Sequence, residues 1–170
     1  RTMVIRCLDL YTSRSSSQKM KTFAFHYIVN PILAMDVMRN WEQVIANAKG
    51  TQLVDRSLIQ VITDKLWLPQ SVSDISEGAD QLGVDHSRME LLQLTTLLMK
   101  YHHNLIQDKR KDIIKTGWNF IKLEDVINKH AAYVSLAYFM AHYETPPKIA
   151  RPVYQQLLKA HQNEGRALVM

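Results

Sequence analysis

One cysteine, Cys7, stands alone in 170 residues. That excludes an internal disulfide and a zinc site built on paired thiolates, and it suits a reducing compartment such as cytosol or nucleus. Glycine and proline are also scarce, with 5 of each, too few for a collagen-like or low-complexity chain. No apolar run approaches the roughly 18–20 residues of a membrane-spanning helix. The sequence has no N-x-S/T glycosylation acceptor, no H-E-x-x-H and no C-x-x-C, so the short signatures of zinc proteases and thiol redox or zinc sites are missing. Strictly alternating, β-branched runs are few, which argues against sheets.

What remains is a globular composition, 46% hydrophobic and 22% charged, in which apolar residues recur at three and four positions almost throughout. That period is helical, and the fold class it predicts is all-α. The formal charge is +5, unevenly placed. Ser71 to His86 carries Asp74, Glu77, Asp80 and Asp85 without a Lys or Arg, so the rest of the chain carries +9 on the same count. The excess is scattered rather than gathered in a block, so charge alone names no partner.

Along the chain, Val4, Ile5, Leu8 and Tyr11 predict a first helix. "SSSQ" predicts the start of a second, with Ser15 as N-cap and Gln18 completing a capping box. Pro31 should kink that helix or restart it. Gly50 and Thr51 mark a break, and Leu53 to Leu66 a helix ending before Pro69. The polar segment 70–87 reads as an acidic surface loop, longer than most connections in compact domains. Four helices follow. Leu91, Leu94, Leu98 and Tyr101 share one face, and so do Ile113, Ile114, Gly117, Trp118 and Ile121. From about Lys122 to Tyr143, the aligned apolar positions are Leu123, Val126, Ile127, His130, Val134, Ala137, Tyr138 and Ala141. "TPPK" opens the last helix, with Thr145 as cap and Pro146 at its first position.

Sliding "LLQLTTLLMKY" onto "AYVSLAYFMAH" superposes the patterns at an offset of about 41 residues, and the following helices match at about 39 or 40. This period lies in the HEAT and armadillo range. A single helix pair cannot bury both its faces, so such units stack into a solenoid. Both ends of the sequence, "RTMVIRCLDLY" and "GRALVM", fall inside apolar-periodic patterns, and the expectation is a piece of a longer protein.

The stretches "QKMKTFAFHYIVNPILAMDV" and "GWNFIKLEDVINKHAAYVSLAYFMAHYETPPKIARPVYQQLLKAHQNEGRALV" closely resemble the helical-repeat region of the transformation/transcription domain-associated protein (TRRAP) family, with its fungal-type members the better match. The resemblance covers Arg1 to about Val37 and Leu91 to Val169, and is weak from Met38 to Glu90. It implies a fragment of a very large, mostly HEAT-type protein of the phosphatidylinositol-3-kinase-related group, ending in a kinase-like domain without catalytic residues. It further implies a nuclear scaffold that sequence-specific activators contact and that brings SAGA-type and related histone acetyltransferase complexes to chromatin. The alternative is a repeat module that itself binds peptides or nucleic acid.

Residue by residue, the bland readings are the better ones. Adjacent His102 and His103 point about 100° apart on a helix, a poor pair of ligands for one metal, and read as a helix end near the last carbonyls. Asp108 reads as a helix cap, and Lys109, Arg110 and Lys111 as a solvated first turn with local ion pairs. Their carboxylate neighbours make direct DNA binding unlikely to be strong, although the three cations are a possible partner surface. Cys7 and Ser15 to Ser17 lack the setting of a nucleophile, and no enzyme activity, metal or cofactor is expected. Trp118, Leu123, His130, Tyr138, Pro146, Leu157 and Leu158, within the best-matched stretches, are expected to lock adjacent helix pairs together. The expected partners are flanking repeats of the same chain, activators and other acetyltransferase-complex subunits, with no membrane.

Overall fold

A computed structural model describes residues 1–39, 52–68, 81–122 and 126–158. Among the described residues the secondary structure is helical, with no strand. Helix α1 is Thr2–Thr12. Next comes a rod spanning 18–38, made of α2 (Gln18–Thr22), a π-helical stretch (Phe23–Val29) and α3 (Asn30–Met38). A second rod joins α4 (Arg56–Ile62) to a π-helical stretch (Thr63–Trp67). Then follow α5 (Gln81–His102), a 3₁₀ turn (Gln107–Lys109), α6 (Arg110–Ile121), α7 (Val126–His142) and α8 (Pro147–Leu158).

The helix starts show where local chemistry differs from its sequence reading. Ser17, not Ser15, caps the first rod, accepting from the Met20 amide at 3.3 Å, while the Ser15 hydroxyl meets that of Ser13. Asp108 caps nothing. Helix α6 is entered through the 3₁₀ turn, whose Lys109 amide donates to the Ile106 carbonyl at 2.9 Å, and no side chain caps it. At α8 the Pro146 carbonyl receives the Ile149 and Ala150 amides, so Pro147 holds the first position and the Thr145 hydroxyl turns back to the Tyr143 carbonyl. Pro31 stands in the first turn of α3, so the expected restart is present, as a change from π- to α-helix within one rod. The preceding turn widens until the Asn30 amide reaches the Phe25 carbonyl, five residues back, and a wide turn tolerates a ring that cannot donate.

The helices form two layers. The rod 18–38, α5 and α7 lie side by side, and α1, the rod 56–67 and α6 run behind them. The tightest joint is α5 on α7, followed by α6 on α7. One core runs from Val4 and Leu8 through Phe25, Leu58 and Trp67 to Leu98 and Ile113. A second gathers Leu92, Phe120, Leu136, Val153 and Leu157.

The repeat is visible in what is buried. Ser87, Leu91, Leu92, Leu94, Thr95 and Leu98 of α5 are buried, and 41 residues on so are Asn128, Ala132, Tyr133, Ser135, Leu136 and Phe139 of α7. In the second helices, Ile113 and Gly117 of α6 are buried, and so are Val153 and Leu157 of α8, 40 residues further on. The side chains differ in size and polarity, so the spacing conserves positions of contact rather than residue types.

Three further sequence expectations change. The face proposed for α7 is the wrong one: Val126 and Ile127 are 44% and 61% exposed, and Ala141 is exposed. Helix α7 is apolar almost all round, so periodicity alone selects no side. The expected loop 70–87 is helical from Gln81 onward and Ser87 is buried, while 70–80 lie outside the described residues, as do Gly50 and Thr51. Tyr101, expected on the core face of α5, is 46% exposed.

Candidate functional site

The chemistry of this chain is concentrated where helices meet. Trp67 is fully buried, and its indole Nε1–H donates to the Thr95 hydroxyl at 3.0 Å. Thr95 in turn donates to the Leu91 carbonyl at 2.7 Å. The Thr116 hydroxyl reaches the Trp67 carbonyl at 3.4 Å while bonding the Asp112 carbonyl at 2.8 Å. One residue thus ties the rod 56–67 to α5 through its indole and to α6 through its backbone carbonyl. Asp36 does similar work at the end of α3, where its carboxylate accepts the Leu53 and Val54 amides at 2.8–3.1 Å. His26 pairs with Glu90, joining the first rod to α5 through a carboxylate that is 5% exposed. A buried charge is tolerable only when so compensated.

At the joint of α6 and α7, Gly117 sits where a side chain does not fit. A Cβ there would stand 2.9 Å from Leu136 Cδ2 and 3.1 Å from its Cγ. The missing side chain lets the two helices approach closely at this point.

The paired histidines lie at the end of α5, which closes at His102. The His102 carbonyl accepts the Leu105 amide, and the His103 carbonyl accepts the Tyr143 hydroxyl at 2.9 Å. The His103 ring approaches His142 of the next repeat, centroids 5.5 Å apart, and Tyr138 stacks on His142 at 5.9 Å. The sequence sets His102 beside His103. The neighbours in space are His103 and His142. Among the described residues no group of three or more His, Cys, Asp or Glu is arranged to hold a metal. His102, His103, Asp55 and Arg56 line an open groove of about 660 Å³. There the Leu58 amide, aided by the Arg1 guanidinium, holds the Asp55 carboxyl below its ordinary range against the opposing effect of burial.

Burial pushes the Tyr143 phenol up to about 12. Its protonated form is therefore the one the fold favours. Below the ordinary value of 10.0 both folded and unfolded chains hold the proton and the contribution is complete. Between 10 and about 12 the unfolded chain ionises first and stability falls. Alkaline titration of Tyr143→Phe should show a shallower loss across this window than the parent, read by urea unfolding at fixed pH. Equal slopes would remove Tyr143 as the cause.

The expected packing residues divide. Leu157 is buried at 2%. Trp118, His130 and Tyr138 are half-buried, with Lys122 Nζ 5.4 Å over the Trp118 ring. Pro146 is exposed and Leu158 is 70% exposed, so neither locks helices together among the described residues, because α8 turns its Val153 and Leu157 side inward instead. Leu123 lies outside the described residues. Of the basic run, Lys109 donates to Gln60 Oε1 at 2.6 Å, which ties it to the rod 56–67. Arg110 and Lys111 are exposed on the rim of a groove of about 420 Å³ floored by Ile114, Phe139, Pro146 and Pro147. Cys7 is buried in the first core.

A family model described as the Tra1 HEAT repeat ring region matches residues 1–170. The similarity thus includes 38–90, which the resemblance in sequence left weak. A fission-yeast protein, the SAGA complex/NuA4 acetyltransferase complex subunit Tra1 of Schizosaccharomyces pombe, is 32% identical over 96% of the chain. The budding-yeast protein of the same description, from Saccharomyces cerevisiae, is 42% identical over 65% of the chain, and the human transformation/transcription domain-associated protein is 24% identical over 99%. The chain spans only 4%, 3% and 4% of the length of these relatives respectively. No solved structure matches it. The two-layer stack, the 41-residue spacing of buried positions and the family match over the full sequence agree: the chain belongs to the Tra1/TRRAP family and lies within its HEAT repeat ring.

Proposed function

We propose that this segment is a non-catalytic scaffold within a nuclear transcription co-activator subunit, one that links sequence-specific activators to SAGA-type and related histone acetyltransferase complexes. One observation carries the reading. The same positions are buried on α5 and α7 at a fixed offset, in a chain whose yeast relatives are named as subunits of SAGA and NuA4 acetyltransferase complexes. Repeats of this kind obtain stability from neighbour stacking and offer long surfaces to partners. Their polar groups here are engaged in joining helices: Trp67 to Thr95, Asp36 to Leu53 and Val54, Tyr143 to His103.

Direct DNA binding gains little support, since Lys109 is tied to Gln60 and Asp108 and Asp112 flank the remaining cations. The test is the composition of the complex isolated through the full-length protein after its repeats are loosened by Trp67→Ala. Loss of acetyltransferase subunits, with the protein itself still present, is the expected result. A complex of unchanged composition, isolated with a variant shown to be unstable, would contradict the scaffold role.

A further inference from the structure

The turn 13–17 joins α1 to the rod 18–38, and so passes from the back layer to the front one at the side of the stack. Repeats that continue either layer would flank it rather than cover it. Its serines are not equivalent. Ser13 and Ser15 bond each other through their hydroxyls at 2.9 Å, and Ser16 is half-buried. Ser17 is exposed, and its hydroxyl oxygen accepts the Met20 amide at 3.3 Å. Its own O–H donates to no group among the described residues.

The chain around that hydroxyl is basic. Arg14 stands three positions before Ser17, Lys19 and Lys21 stand two and four after it, and no carboxylate occurs from Leu10 to Met35. None of these three cations is ion-paired among the described residues. Asp9, just before this interval, is held by Lys65. An arginine at the Arg14 spacing is what basic-directed serine kinases read, and here it lies in a segment outside any helix.

A kinase also needs the residues after its serine extended, and in this chain they are helical. Opening them costs little. Helix α2 buries none of its five residues, Gln18–Thr22, and the core of the rod begins only at Ala24. A terminal turn without buried contacts belongs to the least stable part of a fold. Once formed, the ester would favour reclosure. A phosphate carries about two negative charges at neutral pH and has strong acceptor oxygens. At the N-cap it faces the unpaired amides of the first turn and the positive end of the rod's dipole.

We propose that Ser17 is a phosphorylation site. A basic-directed protein kinase transfers the γ-phosphoryl group of ATP to Ser17 Oγ, ADP and the hydroxyl proton are released, and the phosphate caps the rod more strongly than the hydroxyl did. This inference does not rest on the scaffold reading. Its test uses the full-length protein isolated in its complex from cells treated with a phosphatase inhibitor, with peptides covering 13–22 sequenced by mass spectrometry. The expected result is a single phosphate, on Ser17. Arg14→Ala, a change in an exposed turn that leaves the core intact, should lower its occupancy at least tenfold, and Ser17→Thr should keep it. Amide hydrogen exchange across 18–22 should be several-fold slower than in the same sample after phosphatase treatment. No phosphate on Ser17, a phosphate on Ser15 or Ser16 in its place, or occupancy indifferent to Arg14→Ala would overturn the site. Equal or faster exchange in the phosphorylated sample would overturn its role as a cap.

Discussion

Trp67→Ala destabilises the repeat by about 3–5 kcal/mol, the range for removing a large aromatic from a core. The indole is fully buried between the rod 56–67, α5 and α6. Its removal vacates a cavity and leaves the Thr95 hydroxyl without its indole donor. Thr95 still donates to Leu91, so the polar loss is smaller than the packing loss. Urea unfolding of parent and variant measures the difference. Trp67→Phe should recover only part of it, since a six-membered ring returns while the five-membered ring of the indole and its N–H are lost. A change below about 1 kcal/mol for Trp67→Ala would place the indole outside any tight core. Trp118, the tryptophan that the repeat pattern favours, should matter less, because it is half-buried and shares its ring with Lys122.

Gly117→Val has the second large effect, and here two contributions compete. Helix propensity favours the substitution by a few tenths of a kcal/mol, since glycine is the poorest helix former after proline. Overpacking opposes it by about 1–3 kcal/mol. The opposing effect wins because a Cβ alone would already stand 2.9 Å from Leu136, a side chain 1% exposed and enclosed by the second core. The expected outcome is a loss of about 2 kcal/mol or more. Because the clash is with one residue, Leu136→Ala in the same chain should restore part of the loss, giving a non-additive cycle. Additive losses in the double variant would mean that Gly117 is crowded by something other than Leu136. Gly117→Ala is the milder case, since Leu136 Cδ2 lies at the end of a flexible side chain.

These two residues also show what the sequence makes legible. The helical class, the helix pairs after residue 90 and the 41-residue offset follow from apolar spacing, because each repeat buries the same positions whatever residues occupy them. Glycine at 117 is readable as a close approach for the same reason: its place in an otherwise apolar face has no other use. The inward side of α7 is not readable, since Val126, Ile127, Ala132, Leu136 and Phe139 leave no polar face to oppose. Nor is the split of the rod 18–38 into a buried and an exposed apolar side, which depends on where α1 and α5 lie. Trp67 looks like one aromatic among many until α5 and α6 close on it.

The candidate site was less legible than the fold. The histidine doublet is adjacent in sequence, yet the ring contact between repeats is that of His103 with His142. The basic run at 109–111 reads as one surface, but Lys109 is bound to Gln60 and only Arg110 and Lys111 stand free of the neighbouring rod. Thr145 and Asp108 are good caps by residue type. They lose the role because proline carbonyls and a 3₁₀ turn reach the helix starts first. Local preference is weak enough for backbone geometry to override it.

The most direct measurement is a density map of the intact acetyltransferase assembly in which this segment is traced. The expected result places α5 with α6 and α7 with α8 as superposable pairs 40–41 residues apart, with Trp67 enclosed by α5 and α6, Gly117 enclosed at the joint of α6 and α7, and further helices of the same chain continuing the two layers. A segment standing apart as an isolated globule, or pairs that do not superpose, would contradict the solenoid scaffold.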